Sequence, residues 1–423
     1  MPPAKSGIAT YSSAVLSSLE RTGYRRRREM DVLWPLRPKH LSAIGRYQLG
    51  VFHIGNNYDF HGDIYRLASM NPGVVVLHDL GLDDLVRALV TAGDALGYRA
   101  GREALLRADR LSLPEAMTEE PLSQPWCGHI ARAARGIIVH SEFCRRYLED
   151  FGCRTPVFVV PHPIVEREAD VRAAAPAGAR IRARLGLTAD DTLIVAAGDM
   201  NPAKQLDAVT GAVARLGDDV HLALVGRRVP TWSPAELVRS SPLGKRLTVA
   251  TDVSDEAFLG WLHAADVVAD LRFPHRGEVS GTLIRAMQVG RASVVSGTGT
   301  YLDVPNDVVV HVAPGQPDVA ELAAVFSDLA GAPERRRRLG AAARAHLDVT
   351  AGGDRTARGY EEAIEETLAL VLDPRRLAVT RWARAMNEIG FAPEGFDEDF
   401  GLSYVRGLSD FVGPRGGRTP GGR

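Results

Sequence analysis

Cysteine is scarce in this chain: Cys127, Cys144 and Cys153 are the only three among 423 residues, an odd number with no C-x-x-C pair. That argues against a disulfide framework and a zinc site, and a reduced, cytoplasmic interior is expected. Net charge is scarce too. It is −1, from 51 basic and 52 acidic residues, so no global field draws the chain onto nucleic acid. No apolar run approaches the roughly 18 residues of a spanning helix, and the N-terminus carries no signal-type apolar segment. A soluble protein is expected. What remains is an ordinary globular composition, 45% hydrophobic and 24% charged, long enough for two domains plus a tail.

Short β-rich runs alternate with helical stretches nearly throughout, which predicts a parallel α/β architecture. Residues 73–77, 136–140 and 157–160 read as buried strands of a first half. Residues 192–197, 221–225, 247–250, 266–269, 293–296 and 308–312 continue the pattern in a second half. The division expected is a first domain over 1–165, a hinge region over 166–186 with a helix ending at Gly186, and a second domain over 187–350. Helices at 360–372 and 377–389 fall in a C-terminal segment, 351–412, that crosses back toward the first domain. The Gly/Pro/Arg-rich tail, 413–423, is expected to be disordered. Two such halves facing each other place a ligand cleft at the C-terminal ends of their strands.

Residues 271–290 are the most informative segment. A buried strand ends at Arg272, a loop follows to Gly277, and a helix starts near Thr282. Its first N–H groups lack internal partners and point outward with the positive end of the helix dipole, which suits a phosphate. Ser280, Gly281 and Thr282 let a ligand approach the backbone, and the carboxylate of Glu278 can accept hydrogen bonds from sugar hydroxyls. In the first half, Ser6 and Gly7 open a helix over 8–19, and His78-Asp79 follows a strand. Only five residues precede Ser6, and Pro2 and Pro3 lack the N–H that a central strand donates. The first strand of the N-terminal domain is therefore expected to be missing, with the true start upstream.

These motifs, in this order, resemble the family 4 glycosyltransferases of the GT-B fold, retaining enzymes that use nucleotide-diphosphate sugars. The resemblance spans roughly residues 1 to 350. It rests on the glycine loop at Ser6-Gly7, on Ile54-Gly-Asn-Asn57, Val74-Val-Val-Leu-His78-Asp79, Val139-His-Ser141 and Val160-Pro-His-Pro163. In the second half it rests on Ala197-Gly-Asp-Met-Asn-Pro-Ala-Lys204 and Gly277-Glu278-Val-Ser-Gly281. It implies two Rossmann-like domains around a central cleft, with the acceptor on the first and the nucleotide sugar on the second.

Residue by residue, the resemblance implies that Lys204 neutralises the diphosphate and that Ser280, Gly281, Thr282 and Leu283 bind it through backbone amides. Glu278 holds the donor sugar's hydroxyls, His78 lies beside the reacting carbon, Ser6 and Gly7 approach the phosphates or the acceptor, and Asp252-Val253 frames the base. No metal and no further cofactor is implied beyond the nucleotide sugar, GDP- or UDP-linked. The leaving phosphate itself can take the acceptor's proton, so no side-chain base is required.

Two positions depart from the family pattern. Asp199 stands where a phosphate-binding arginine is common, leaving Arg272 or Arg276 as substitutes. A second, ribose-binding glutamate is replaced by Arg285 or Ala286, depending on alignment. His140 and His162 read as structural, and Arg25 to Arg28 as a solvated helix end, with a weak peripheral membrane contact as the minority reading. The acceptor stays open between a small natural product and a cell-envelope glycan or lipid, and no motif speaks to oligomeric state. Competing readings are a nucleotide-sugar-dependent coupling or epimerisation enzyme and a degenerate, non-catalytic relative.

Overall fold

A computed structural model describes residues 7–34, 44–113, 121–229 and 233–371. Ser6, the helix expected at 377–389 and the 413–423 tail lie outside the described residues. The chain divides into two compact units, Met1–Ala363 and Ile364–Arg423. Of the second, only 364–371 is described, as the end of the helix Arg355–Val371.

The larger unit holds two parallel sheets. The first contains β1 (Val51–Ile54), β2 (Val74–Leu77), β3 (Gly136–Val139) and β4 (Val157–Val159), in the order β1-β2-β3-β4. The second contains β5 (Thr192–Ala197), β6 (Val220–Gly226), β7 (Leu247–Thr251), β8 (Val267–Asp270), β9 (Ala292–Ser296) and β10 (Val310–Val312). Its order is β10-β9-β8-β5-β6-β7, every neighbour parallel.

The strands form where short β-branched runs can be buried on both faces, as Val-Val-Val-Leu of β2 and Gly-Ile-Ile-Val of β3 are. Alternation along β5 splits the second core in two. Ile194 and Ala196 pack with Leu222 and Val267 on one face; Leu193, Val195 and Ala197 pack with Trp261 and Leu262 on the other. Helices therefore cover both faces. Asn57, Ser141, Ser254 and Ser280 cap the helices that follow them, each accepting an amide hydrogen bond from the first turn.

β1 is the one strand absent from the expected set. His53 interrupts its apolar run, and the burial pattern of Val51 to Ile54 is half-open as befits a sheet edge. The residues before the helix Gly7–Arg21, on which the expectation of a missing first strand turns, lie outside the described residues. The expected hinge region is mostly the helix Glu168–Arg184, packed along Asp255–Ala264. Gly178 makes that contact, since a Cβ there would meet the His263 backbone at 2.8 Å. The helix from Arg355 returns to the first sheet's half. Tyr360 shares a 2.9 Å hydroxyl hydrogen bond with Tyr11, and Thr356 Oγ1 donates to Pro161 O at 3.0 Å. Arg27, one of the clustered arginines, pairs with Glu361 at 2.7 Å. Among the described residues no helix is long and apolar enough to cross a membrane.

β5 and β8 are spatial neighbours but far apart in the chain, so connections diverge from this pair to either side. In an open parallel sheet the crevice at that switch point is where ligands bind.

Candidate functional site

The loop after β5 carries Lys204 and the loop after β8 carries Glu278, so both meet at the switch point. Together with the strand ends of the first sheet they line a cleft of about 920 Å³. Its walls include Gly7, His78, Lys204, Asp252, Val253, Glu278, Ser280, Gly281 and Thr282. Leu283 is not on that wall: its side chain is buried in the core, and its amide donates to Ser280 Oγ at 3.3 Å.

Lys204 ends a single turn, Pro202–Lys204, and is almost wholly buried. Its Nζ donates to Asp270 Oδ1 at 2.5 Å, and Asp270 Oδ2 accepts from Tyr301 at 3.0 Å. Burial depresses the Lys204 ammonium. Burial also works to raise the Asp270 carboxyl, but Lys204 and then Arg272 outweigh it and hold it below the carboxylate range. The lysine expected at the diphosphate thus already has a buried counter-ion 66 residues away in sequence.

Glu278 is held on both oxygens. Oε1 accepts from Arg272 Nη1 at 2.5 Å and Oε2 from the Arg276 amide at 2.7 Å. Against the cost of burial, Arg272 above all brings its pKa down to about 2, so it is ionised. Arg272 Nε, in turn, is buried without a hydrogen-bond partner. That buried, unpartnered donor belongs to a residue of the cleft wall and has a hydrogen bond still to give to an anionic oxygen. Four residues beyond the glutamate loop's start, the helix Gly281–Val289 aims its first turn at the same space, and a Cβ on Gly281 would meet nothing within 4 Å.

The two departures now have structures. Asp199 pairs with Arg227 at 2.6 Å on the cleft wall. Of the two proposed substitutes, Arg272 faces Glu278 inside the cleft, whereas Arg276 reaches Asp83 at 3.0 Å and Asp84 at 3.4 Å on the first domain. Arg285 pairs with Glu166 at 2.7 Å and lies 5.6 Å over the Phe258 ring. Asp252 adopts φ 55°, and both its oxygens engage Arg228.

The close approach of the two second-domain loops needs glycine. Gly226 has φ 153°, and a Cβ there would lie 1.7 Å from Gly198 O. Across the cleft, the amides of Leu80 and Gly81 donate to Arg276 O at 2.7 and 3.0 Å. Gly277, at φ 81°, rests on the Leu80 side chain. The glutamate loop is thereby docked on the first domain.

On the first-domain wall, His78 Nε2 lies 3.1 Å from His53 Nδ1. The rings of His53, His78, His140 and His162 stand 4.6 to 5.8 Å from the Tyr11 ring, which fills the space between the strand ends. His140 and His162 therefore line the cleft with His78, a grouping the motifs did not reveal. Burial keeps all four neutral, lowering His53 and His162 to about 3, His140 to about 4 and His78 well below the usual imidazole range. Among the described residues no three His, Cys, Asp or Glu side chains are arranged to hold a metal ion.

No family model matches the chain. It is 30% identical over 272 residues to a D-inositol 3-phosphate glycosyltransferase of Streptomyces scabiei, covering 59% of this chain and 57% of that one. The chain thus spans little more than half the length of that curated relative. Among solved structures it resembles Anabaena HepE in complex with UDP-glucose, at TM-score 0.59 and 14% identity, covering 86% of this chain and 96% of the other. Sucrose-phosphate synthase from Thermosynechococcus elongatus matches at TM-score 0.55 and 20% identity, over 80% and 79% of the two chains. At these identities the structural likeness concerns the fold. Sheet order and both comparisons bear out the resemblance read from the motifs: this is a protein of the GT-B fold, similar in sequence and structure to glycosyltransferases.

Proposed function

We propose that the chain is a retaining glycosyltransferase that moves a sugar from a nucleotide-diphosphate sugar to an acceptor. The observation that carries this reading is the convergence at the β5/β8 switch point of Lys204, the unpartnered Nε of Arg272 and the open first turn at Gly281. Breaking a glycosyl–phosphate bond leaves negative charge on the diphosphate. Fixed cations and amide dipoles in a half-dry cleft stabilise that charge without reorganising, and such donors typically supply about 3–4 kcal/mol of barrier reduction each. Glu278, kept ionised and oriented by Arg272 and the Arg276 amide, accepts hydrogen bonds from the donor sugar. The acceptor lies on the first-domain wall, against Asn56, His78 and Asp79.

UDP is the first nucleotide to try, because HepE binds UDP-glucose; GDP is the second. Calorimetry with UDP and GDP, followed by release of nucleotide from UDP-glucose or GDP-mannose, tests the reading. Micromolar binding with turnover supports it. Failure to bind either nucleotide removes it, and binding with no turnover of any donor favours a degenerate, non-catalytic relative.

A further inference from the structure

The helix Ala95–Arg107 of the first domain is amphipathic the wrong way round. Its buried residues are small, Gly97, Ala100 and Ala104, apart from Glu103. Glycine lets it lie against the helix Asp83–Thr91: a Cβ on Gly97 would come within 2.6 Å of the Val90 nitrogen, and one on Gly101 within 3.8 Å of the Val86 side chain. Its large apolar side chains point the other way. Tyr98, Leu105 and Leu106 are 57%, 61% and 69% exposed, where an ordinary surface helix turns such residues to the core. Isolated exposed leucines are common; three large apolar residues on one helix face are not. Between them lie Arg99 and Arg102, both exposed. At 3.6 residues per turn these five positions share an arc of about 120°. Arg110 is exposed in the turn that follows. Among the described residues none of these three arginines makes an ion pair, since the helix's one acid, Glu103, is turned inward onto Arg107 and Arg132. Over residues 95–110 the one exposed acid is Asp109.

We propose that this face is a docking surface for an anionic lipid bilayer. A cationic face interleaved with an aromatic ring and two leucines lies flat in the interface of such a membrane. The apolar side chains enter the acyl boundary and the guanidinium groups meet the lipid phosphates. A second copy of this chain suits the face less, because a two-fold contact here sets arginine against arginine. The docked end is the cleft end. Gly97 faces Leu89 and Val90 while Gly101 faces Val86, so the two helices are antiparallel. Leu105 therefore comes level with the start of the partner helix, where Asp83 pairs with Arg276 of the second domain. Docking is independent of the transferase reading; under that reading, the first-domain wall of the cleft is the part brought to the lipid.

The test is flotation of the full chain with vesicles of phosphatidylcholine, alone or with about one third phosphatidylglycerol. Wild-type protein should float with the anionic vesicles, stay behind with the neutral ones, and be released as salt screens the arginines. Each arginine near an anionic surface is worth about fivefold in partitioning, so Arg99→Gln/Arg102→Gln should bind about 25-fold more weakly. Leu105→Gln/Leu106→Gln should bind more weakly by about tenfold or more. All four positions are exposed and glutamine is a good helix former, so both variants should melt with wild type. Wild-type protein that ignores anionic vesicles, or floats equally with neutral ones, overturns the proposal. Flotation unchanged in either variant overturns it too, by placing the contact elsewhere. A concentration-dependent dimer in sedimentation, abolished by the leucine pair in a protein that does not float, gives the face to a second copy instead. Nucleotide binding is measured separately, so failure of the transferase reading leaves this result standing.

Discussion

Replacing Lys204 with methionine separates what this lysine does for the fold from what it does for a ligand. In the wild-type protein its ammonium faces Asp270 at 2.5 Å, with side-chain exposures of 6% and 0%. Removing the cation leaves a carboxylate in the interior with only the Tyr301 hydroxyl and the more distant Arg272 to stabilise it. Breaking a buried pair in this way costs about 3–5 kcal/mol. For a domain of this size that is a melting-temperature drop of roughly 6–20 °C. The pH dependence carries a distinct signature. Without Lys204 the folded Asp270 carboxyl lies above its unfolded value, so its protonation relieves the penalty. The deficit should be largest at neutral pH and shrink as pH falls toward the unfolded carboxylate range. The double variant Lys204→Met/Asp270→Asn removes both charges and should recover most of the stability. It should still bind UDP more weakly by about tenfold or more, because an anion's partner is gone. Scanning calorimetry from pH 5 to 8 and titration with UDP give both numbers. A single variant as stable as wild type refutes the buried-pair argument, and a double variant with wild-type affinity refutes Lys204 as a diphosphate ligand.

Glu278→Gln should lower donor turnover by about 100-fold, measured as UDP release, with a lowered melting temperature beside it, because Arg272 loses its counter-ion and the new amide can accept from only one of Arg272 and the Arg276 N–H. Acid should destabilise the protein through the four buried histidines around Tyr11. Their folded pKa values lie below the unfolded value of 6.5, so the stability they confer is present above that value and lost as pH falls below it, by about 1.4 kcal/mol per pH unit for each fully neutral histidine. Urea titrations at pH 7 and 5 measure this, and a flat profile contradicts the cluster's neutrality. Gly226→Ala should lower the melting temperature and abolish UDP binding together, because its Cβ would collide with Gly198 O and force the Asp199 and Asp252 loops apart.

The second sheet was legible almost strand by strand, because its runs are continuous and β-branched, as doubly covered parallel strands must be. β1 was not, since His53 breaks its apolar pattern, and that histidine belongs to the cluster around Tyr11 rather than to a core face. Lys204 and Glu278 were legible from local motifs. Their partners were not equally so. Asp270 closes on Lys204 only when β5 and β8 become neighbours, a fact of sheet order that no spacing encodes. Arg272 was readable as a substitute cation, but choosing it over Arg276 required seeing Arg276 turn to Asp83. His140 and His162 look structural in isolation, as each simply comes after a strand of the first sheet. Only the parallel register of the first sheet brings His53, inside β1, and the three histidines that follow β2, β3 and β4 to one tyrosine ring.

The most direct measurement is a crystal structure of the full chain with UDP bound. The account predicts diphosphate oxygens within hydrogen-bond distance of Arg272 Nε and the Gly281 and Thr282 amides, with Lys204 turned toward them and the base near Val253. A nucleotide seated elsewhere, or a diphosphate that leaves Arg272 and the helix start untouched, would contradict it.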